Sequence, residues 1–183
     1  DAPVLLNDSE VIVSLTTFPP RISQLHLVLK SILWQTYIPA NIIVWLSEQE
    51  FPGRLNDLPE ELRKLTANGV KFKFVPENFR SHKKYYYVLR DYPNDHLITF
   101  DDDLIYPTNT ISSIMEAATM YPDCVVGRYS NQVGIDDSGN VRFIRNKNRD
   151  VAFQPSWSVF IGSGGGTLFP AGFLPEIAKD KDT

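Results

Sequence analysis

The chain has 183 residues, of which 43% are hydrophobic and 12% aromatic, with a formal net charge of −4. That balance describes one ordinary globular domain with a sizeable core, and the acidic charge without a basic block argues against nucleic acid as the main partner. No stretch is long and apolar enough to cross a bilayer, and a lone cysteine, Cys124, excludes an internal disulfide. With no charged N-terminal region ahead of a hydrophobic core, these features lead us to expect a cytoplasmic protein.

Val11 to Leu15 reads as a buried strand that Pro19-Pro20 ends, because two prolines cannot continue a ladder. Leu25, Val28, Leu29, Ile32 and Leu33 recur at helical spacing, which predicts a helix from Ser23 to about Trp34. Ile42 to Leu46 forms a second strand. Pro59 and the acids after it open a short helix over 59–65, and Gly69 marks its end. Val70 to Val75 alternates polar and apolar residues, as a half-exposed strand near a sheet edge does. A helix follows over Lys83 to Asp91, then a strand over Leu97 to Phe100 and a helix near Thr110 to Met120. Beyond it, short β-like pieces at Val125-Val126, Val141 to Ile144 and Trp157 to Phe160, with a turn signal over Asp136 to Asn140, predict antiparallel ribbons. The fold class is therefore α/β: a Rossmann-like, mixed but mainly parallel sheet flanked by helices, with a smaller antiparallel part in the second half.

The Leu97 to Phe100 strand delivers Asp101-Asp102-Asp103. Three adjacent carboxylates oppose one another's ionisation, and a divalent cation removes the conflict. On an extended backbone Asp101 and Asp103 face one side and Asp102 the other, so the outer two are the candidate ligands. Oxygen-only ligands suit Mn²⁺ or Mg²⁺, which fill their shells with water and phosphate oxygens. The plainer alternative is a solvated acidic turn ahead of the next helix. Lys83 and Lys84 open a helix, a poor place for cations unless they help to hold an anion such as a diphosphate. A solvated face is their alternative, as a surface position is for Arg21.

Four stretches in order carry a family resemblance: Thr16-Thr17-Phe18-Pro19-Pro20-Arg21-Ile22, Lys83-Lys84, Phe100 to Pro107, and Gly164-Gly165-Gly166-Thr167-Leu168-Phe169-Pro170. Together they resemble a nucleotide-sugar-dependent glycosyltransferase of the GT-A fold, most like bacterial glycosyltransferase-like proteins with an Asp-x-Asp motif. The resemblance spans nearly the whole chain, with a nucleotide-binding half over 1–107 and an acceptor-side half over 108–183 in a single domain. It implies transfer of a sugar from a nucleotide-diphosphate donor, a UDP-sugar foremost, to a saccharide or lipid-linked acceptor, with peripheral membrane contact left open. It gives Asp101 and Asp103 the metal and leaves Asp102 to the sugar or to solvent. Thr16, Thr17, Pro19, Arg21, Glu48, Lys83 and Lys84 become nucleotide-sugar contacts. Gly164, Gly165 and Gly166 would pass close beneath the sugar, and Trp157 would offer it a flat apolar face or else pack in the core.

The family's carboxylate base is expected in an Ala-Asp-Asp-like segment after the glycines, and the chain reaches Thr183 without one, although Glu176, Asp180 and Asp182 lie in that region. The chain is accordingly expected to be truncated at its C-terminus, and no catalytic base is assigned. Arg128, Arg142, Arg145, Lys147 and Arg149 would receive an anionic acceptor or form a solvated hairpin. His26, His82 and His96 lack metal-ligand spacing. A nucleotidyltransferase would need a glycine-rich, basic loop after the first strand, where this chain has prolines. The non-enzyme alternative is a nucleotide- or sugar-binding module that keeps the donor pocket without turnover.

Overall fold

In the computed structural model, which describes residues 11–144 and 155–173, strands and helices alternate through the first half. They are β1 (Val11–Thr16), α1 (Leu25–Leu33), β2 (Asn41–Ser47), α2 (Glu60–Lys64), β3 (Val70–Val75), α3 (Lys83–Asp91), β4 (His96–Phe100) and α4 (Thr110–Met120). The second half adds five short strands, β5 (Val126–Gly127), β6 (Ser130–Ile135), β7 (Val141–Ile144), β8 (Val159–Ile161) and β9 (Gly165–Phe169). One six-stranded sheet runs in the order β3-β2-β1-β4-β9-β5, parallel from β3 to β4 and antiparallel from β4 onward. A second sheet has the order β7-β6-β8.

β1 reads as an unbroken apolar run because both of its faces are covered. Val11, Val13 and Leu15 pack toward α1, α2 and α4 with Leu25, Leu62 and Ile111, while Ile12 packs on the other face with Trp45, Tyr87 and Val88 of the α3 side. β3 lies at the sheet edge, and its middle residues are partly exposed, as its alternating sequence predicts.

Besides β6, which the sequence reading did not name as a strand, three elements depart from it. α1 begins at Leu25 because a 3-10 turn over Pro19–Arg21 occupies the chain before it. α2 is a single turn that tightens into 3-10 geometry over Leu65–Asn68, and Gly69 ends it at φ 89°. The glycine-rich stretch is not a passing loop: it enters the main sheet as β9, antiparallel to β4 with a register shift between Thr99 and Phe100. Gly166 stands there at φ 98°, and a Cβ at that position would press on Phe100 and Ile114. That tight contact lets the strand lie flat on α4.

In the smaller sheet β6 and β7 form a hairpin whose turn is fixed by Asp136, which accepts from the Ser138 and Asn140 amides. Its register puts Val133, Ile135, Val141, Phe143 and Phe160 on one face, and all but Val133 are exposed. Arg145, Lys147, Arg149, Glu176, Asp180 and Asp182 lie outside the described residues. Among the described residues no helix is long and apolar enough to cross a membrane.

At the opposite end of the sheet from the strands' carboxyl ends, His96 is buried, its Nδ1 accepting the Ala171 amide at 3.2 Å while Nε2 has no hydrogen-bond partner among the described residues. Burial holds its pKa below the ordinary value, against a smaller upward pull from Asp95. The unfolded chain therefore takes up the proton first as pH falls, so stability is full above about 6.5 and declines below it. Thermal unfolding followed from pH 7.5 to 5 should show this decline, and His96→Asn, which keeps an acceptor without titrating, should flatten it.

Candidate active site

The strand order places β2 on one side of β1 and β4 on the other, so the carboxyl ends of β1 and β4 flank the crevice where an open α/β sheet reverses its winding. Asp101, Asp102 and Asp103 follow β4 at that point. β4 ends at Phe100, however, and the triplet enters a turn, so the alternation assumed for an extended chain does not apply. Asp102 is the buried member, and Asp101 and Asp103 each keep 46% of their side chains exposed.

Asp102 faces the loop that follows β1. Thr17 donates to its Oδ2 at 2.6 Å and Arg21 Nη1 to its Oδ1 at 2.8 Å. The same Nη1 lies 3.0 Å from Asp103 Oδ2. The hydrogen bond to Asp102, then the charges of Asp102 and Asp103, push the Arg21 pKa up. Asp101 is paired from the other side by Lys84, at 2.7 Å from Nζ to Oδ1. Much of the counter-charge that the triplet demands is thus supplied by the protein. No hydrogen bond within the described residues reaches Asp101 Oδ2 or Asp103 Oδ1.

The lysine pair is divided. Lys84 is buried against Asp101, while Lys83 turns to Asn78 Oδ1 at 2.6 Å and lies 3.7 Å from Glu50 Oε2. Burial lowers the Lys83 pKa, and Glu50 opposes the shift. Neither ammonium is open to solvent, so both serve first as internal partners of acidic or amide side chains.

Thr16 spends its hydroxyl on the Trp45 carbonyl at 2.8 Å, tying β1 to β2. Pro19 is an exposed first residue of the 3-10 turn that carries Arg21. Glu48, just past β2, is paired at 2.5 Å with Arg54, which stands at φ 54°. Trp157 is fully exposed, which excludes its core alternative. Gly164 faces Asp101 so closely that a Cβ there would fall on the carboxylate, and Gly165 and Gly166 lead into β9. The structure therefore gathers Thr17, Arg21, Lys84, Asp101 to Asp103 and Gly164 in one place, while Thr16, Lys83, Glu48 and Trp157 are engaged or exposed elsewhere.

Tyr106 is a member that sequence reasoning missed. Its hydroxyl donates to the Gly164 carbonyl at 2.6 Å and accepts the Asp101 amide at 2.9 Å, and its ring packs on Phe100 at 4.1 Å. Burial pushes the phenol pKa up, so it stays a donor. The only available signal was its place in the Phe100 to Pro107 stretch.

Among the described residues no three His, Cys, Asp or Glu side chains converge as a ready-made metal cage. Mg²⁺ and Mn²⁺ need none, since one or two carboxylates suffice when water and phosphate complete the shell. Two half-exposed carboxylates, each with one oxygen that accepts no hydrogen bond among the described residues, fit that requirement.

The fold is similar to that of 4-diphosphocytidyl-2C-methyl-D-erythritol synthase from Anaerococcus prevotii, with a TM-score of 0.51 and 13% identity over 89% of this chain and 72% of that one. It is also similar to CMP:2-keto-3-deoxy-manno-octonic acid synthetase in complex with CTP, with a TM-score of 0.52 and 11% identity over 90% of this chain and 76% of that one. At such identity the likeness shows the fold alone. A looser overlap with residues 1–349 of S. aureus TarS, at a TM-score of 0.43 and 13% identity, covers 63% of this chain and 34% of that one. No family model and no curated protein sequence matches the chain.

Removing only the Tyr106 hydroxyl, in Tyr106→Phe, should cost about 1 kcal/mol in a denaturant titration. The Asp101 amide also reaches Gly164 O at 3.1 Å and retains that acceptor, so a larger loss would mean that the joint has no such reserve.

Proposed function

We propose that the chain is a transferase that binds a nucleotide-linked substrate where β1 and β4 end. More narrowly, it is a metal-dependent glycosyltransferase that takes a sugar from a nucleotide-diphosphate donor, with UDP the expected nucleotide, and passes it to a saccharide or lipid-linked acceptor. The observation that carries this reading is the Asp101–Asp103 turn facing Thr17 and Arg21 across that crevice. Fixed carboxylates beside a half-exposed guanidinium offer one surface for a cation and another for phosphate.

The two synthetases of similar fold have cytidine nucleotides in their names, one of them holding CTP, which supports nucleotide binding by this architecture. Prolines at 19 and 20, where a nucleotidyltransferase would need glycines and a basic residue, favour glycosyl transfer. Asp101 and Asp103 would hold Mn²⁺ or Mg²⁺, whose charge supports a departing nucleoside diphosphate. Arg21 reaches phosphate from the rim. Gly164, with no side chain, lets the Asp101 carboxylate lie against the backbone ahead of β9. Trp157, exposed near the small sheet, offers a flat face to an acceptor or sugar ring.

Calorimetry with UDP, GDP, ADP and CDP, with Mn²⁺ and with chelator, tests this directly. Binding of at least one diphosphate should require the metal and weaken on the order of tenfold or more in Asp103→Asn. Equal affinity in chelator and in the variant would contradict the reading.

A further inference from the structure

The triplet sets three carboxylates against two cations, and the two cations are held differently. Lys84 leaves α3 with its side chain 4% exposed, and pulling it from Asp101 would strand a charge in a low-dielectric interior. Arg21 stands on a surface 3-10 turn with its side chain 46% exposed, where one hydrated ion pair exchanges for another at little cost. Its hold is also incomplete. Nη1 approaches both Asp102 and Asp103, while Nε and Nη2 donate no hydrogen bond to a carboxylate among the described residues, so the bidentate capacity of the fork is unused.

From this asymmetry we infer that Arg21 is an exchangeable counter-ion. It holds Asp103 until a divalent cation takes that carboxylate, and then gives its free fork to the phosphate that arrives with the cation. Asp102 does not take part in the exchange: it is buried, and Thr17 secures its second oxygen, so it remains the pivot for Nη1. A guanidinium cannot shed its charge by losing a proton, so once displaced from Asp103 it needs another anion. Metal alone must therefore dislodge a cation that has nowhere to go, whereas metal and diphosphate together satisfy every charge. The two ligands strengthen each other's binding through Arg21. The identity of the phosphate ligand rests on the reading above, but the displacement step concerns the metal alone.

The test titrates Mn²⁺ alone, and then UDP at saturating Mn²⁺, into the unaltered chain, Arg21→Gln and Arg21→Lys, with thermal melts to confirm folding. Arg21→Gln keeps a donor for Asp102 but removes the charge. It should bind Mn²⁺ alone roughly tenfold more tightly and UDP roughly tenfold more weakly, opposite signs that general damage to the site would not produce. Arg21→Lys, charged but without the fork, should keep the original Mn²⁺ affinity and lose UDP affinity. Unchanged or weaker Mn²⁺ binding in Arg21→Gln, or no Mn²⁺ binding by either protein, overturns the exchange. Tighter Mn²⁺ binding in Arg21→Gln with no diphosphate bound by the unaltered chain would uphold the displacement while defeating the proposed function.

Discussion

A carboxylate buried at the end of a strand must be paired, and the pairing of Asp102 with Thr17 and Arg21 is the constraint around which this site is built. It joins the ends of β1 and β4, neighbours in the sheet that lie far apart in sequence. It also requires the chain after β1 to turn at once, which Pro19 and Pro20 bring about, so that Arg21 stands over the triplet rather than being carried away on a longer strand. With Asp102 fixed in this way, its neighbours Asp101 and Asp103 fall on the rim, each half-exposed.

The other elements support that arrangement from behind. Tyr106 closes the turn by tying Asp101 to Gly164, and the tie brings β9 against β4. Lys84 supplies a fixed charge from α3, whose own position is set by Ser14 of β1 donating to the Lys84 carbonyl at 2.8 Å. The helix that presents Lys84 is thus fastened to the strand that presents Thr17. The site is a joint between three elements of the main sheet's winding, with the glycine-rich strand as its fourth wall.

Much of this was legible in the sequence. β1, β2 and β4 declared themselves as apolar runs, α3 and α4 kept the bounds read for them, and the triplet's place at a strand end followed from order alone. What was not legible depends on long-range pairing: Arg21 meets Asp102 across 81 residues and Thr17 meets it across 85. No periodicity reports such a contact. Lys83 and Lys84 read as one cationic pair, yet neighbours on a helix point in different directions, and the two serve separate partners. The triplet read as a continued strand, although its pairing with Arg21 and Lys84 needed a turn. The glycines read as clearance for a ligand, yet Gly164 clears Asp101 and Gly166 clears Phe100 and Ile114.

Cation and nucleotide are proposed to meet at the end of β4, and paramagnetic broadening by Mn²⁺ in a ¹⁵N-labelled sample with UDP locates the ion directly. Signals of Thr17, Arg21, Asp101 to Asp103 and Gly164 to Gly166 should vanish first, and those of the Asp136 to Asn140 turn, at the far end of the β6–β7 hairpin, should persist longest. Broadening centred on Asp136 and Asp137, or spread evenly over the acidic surface, would contradict it.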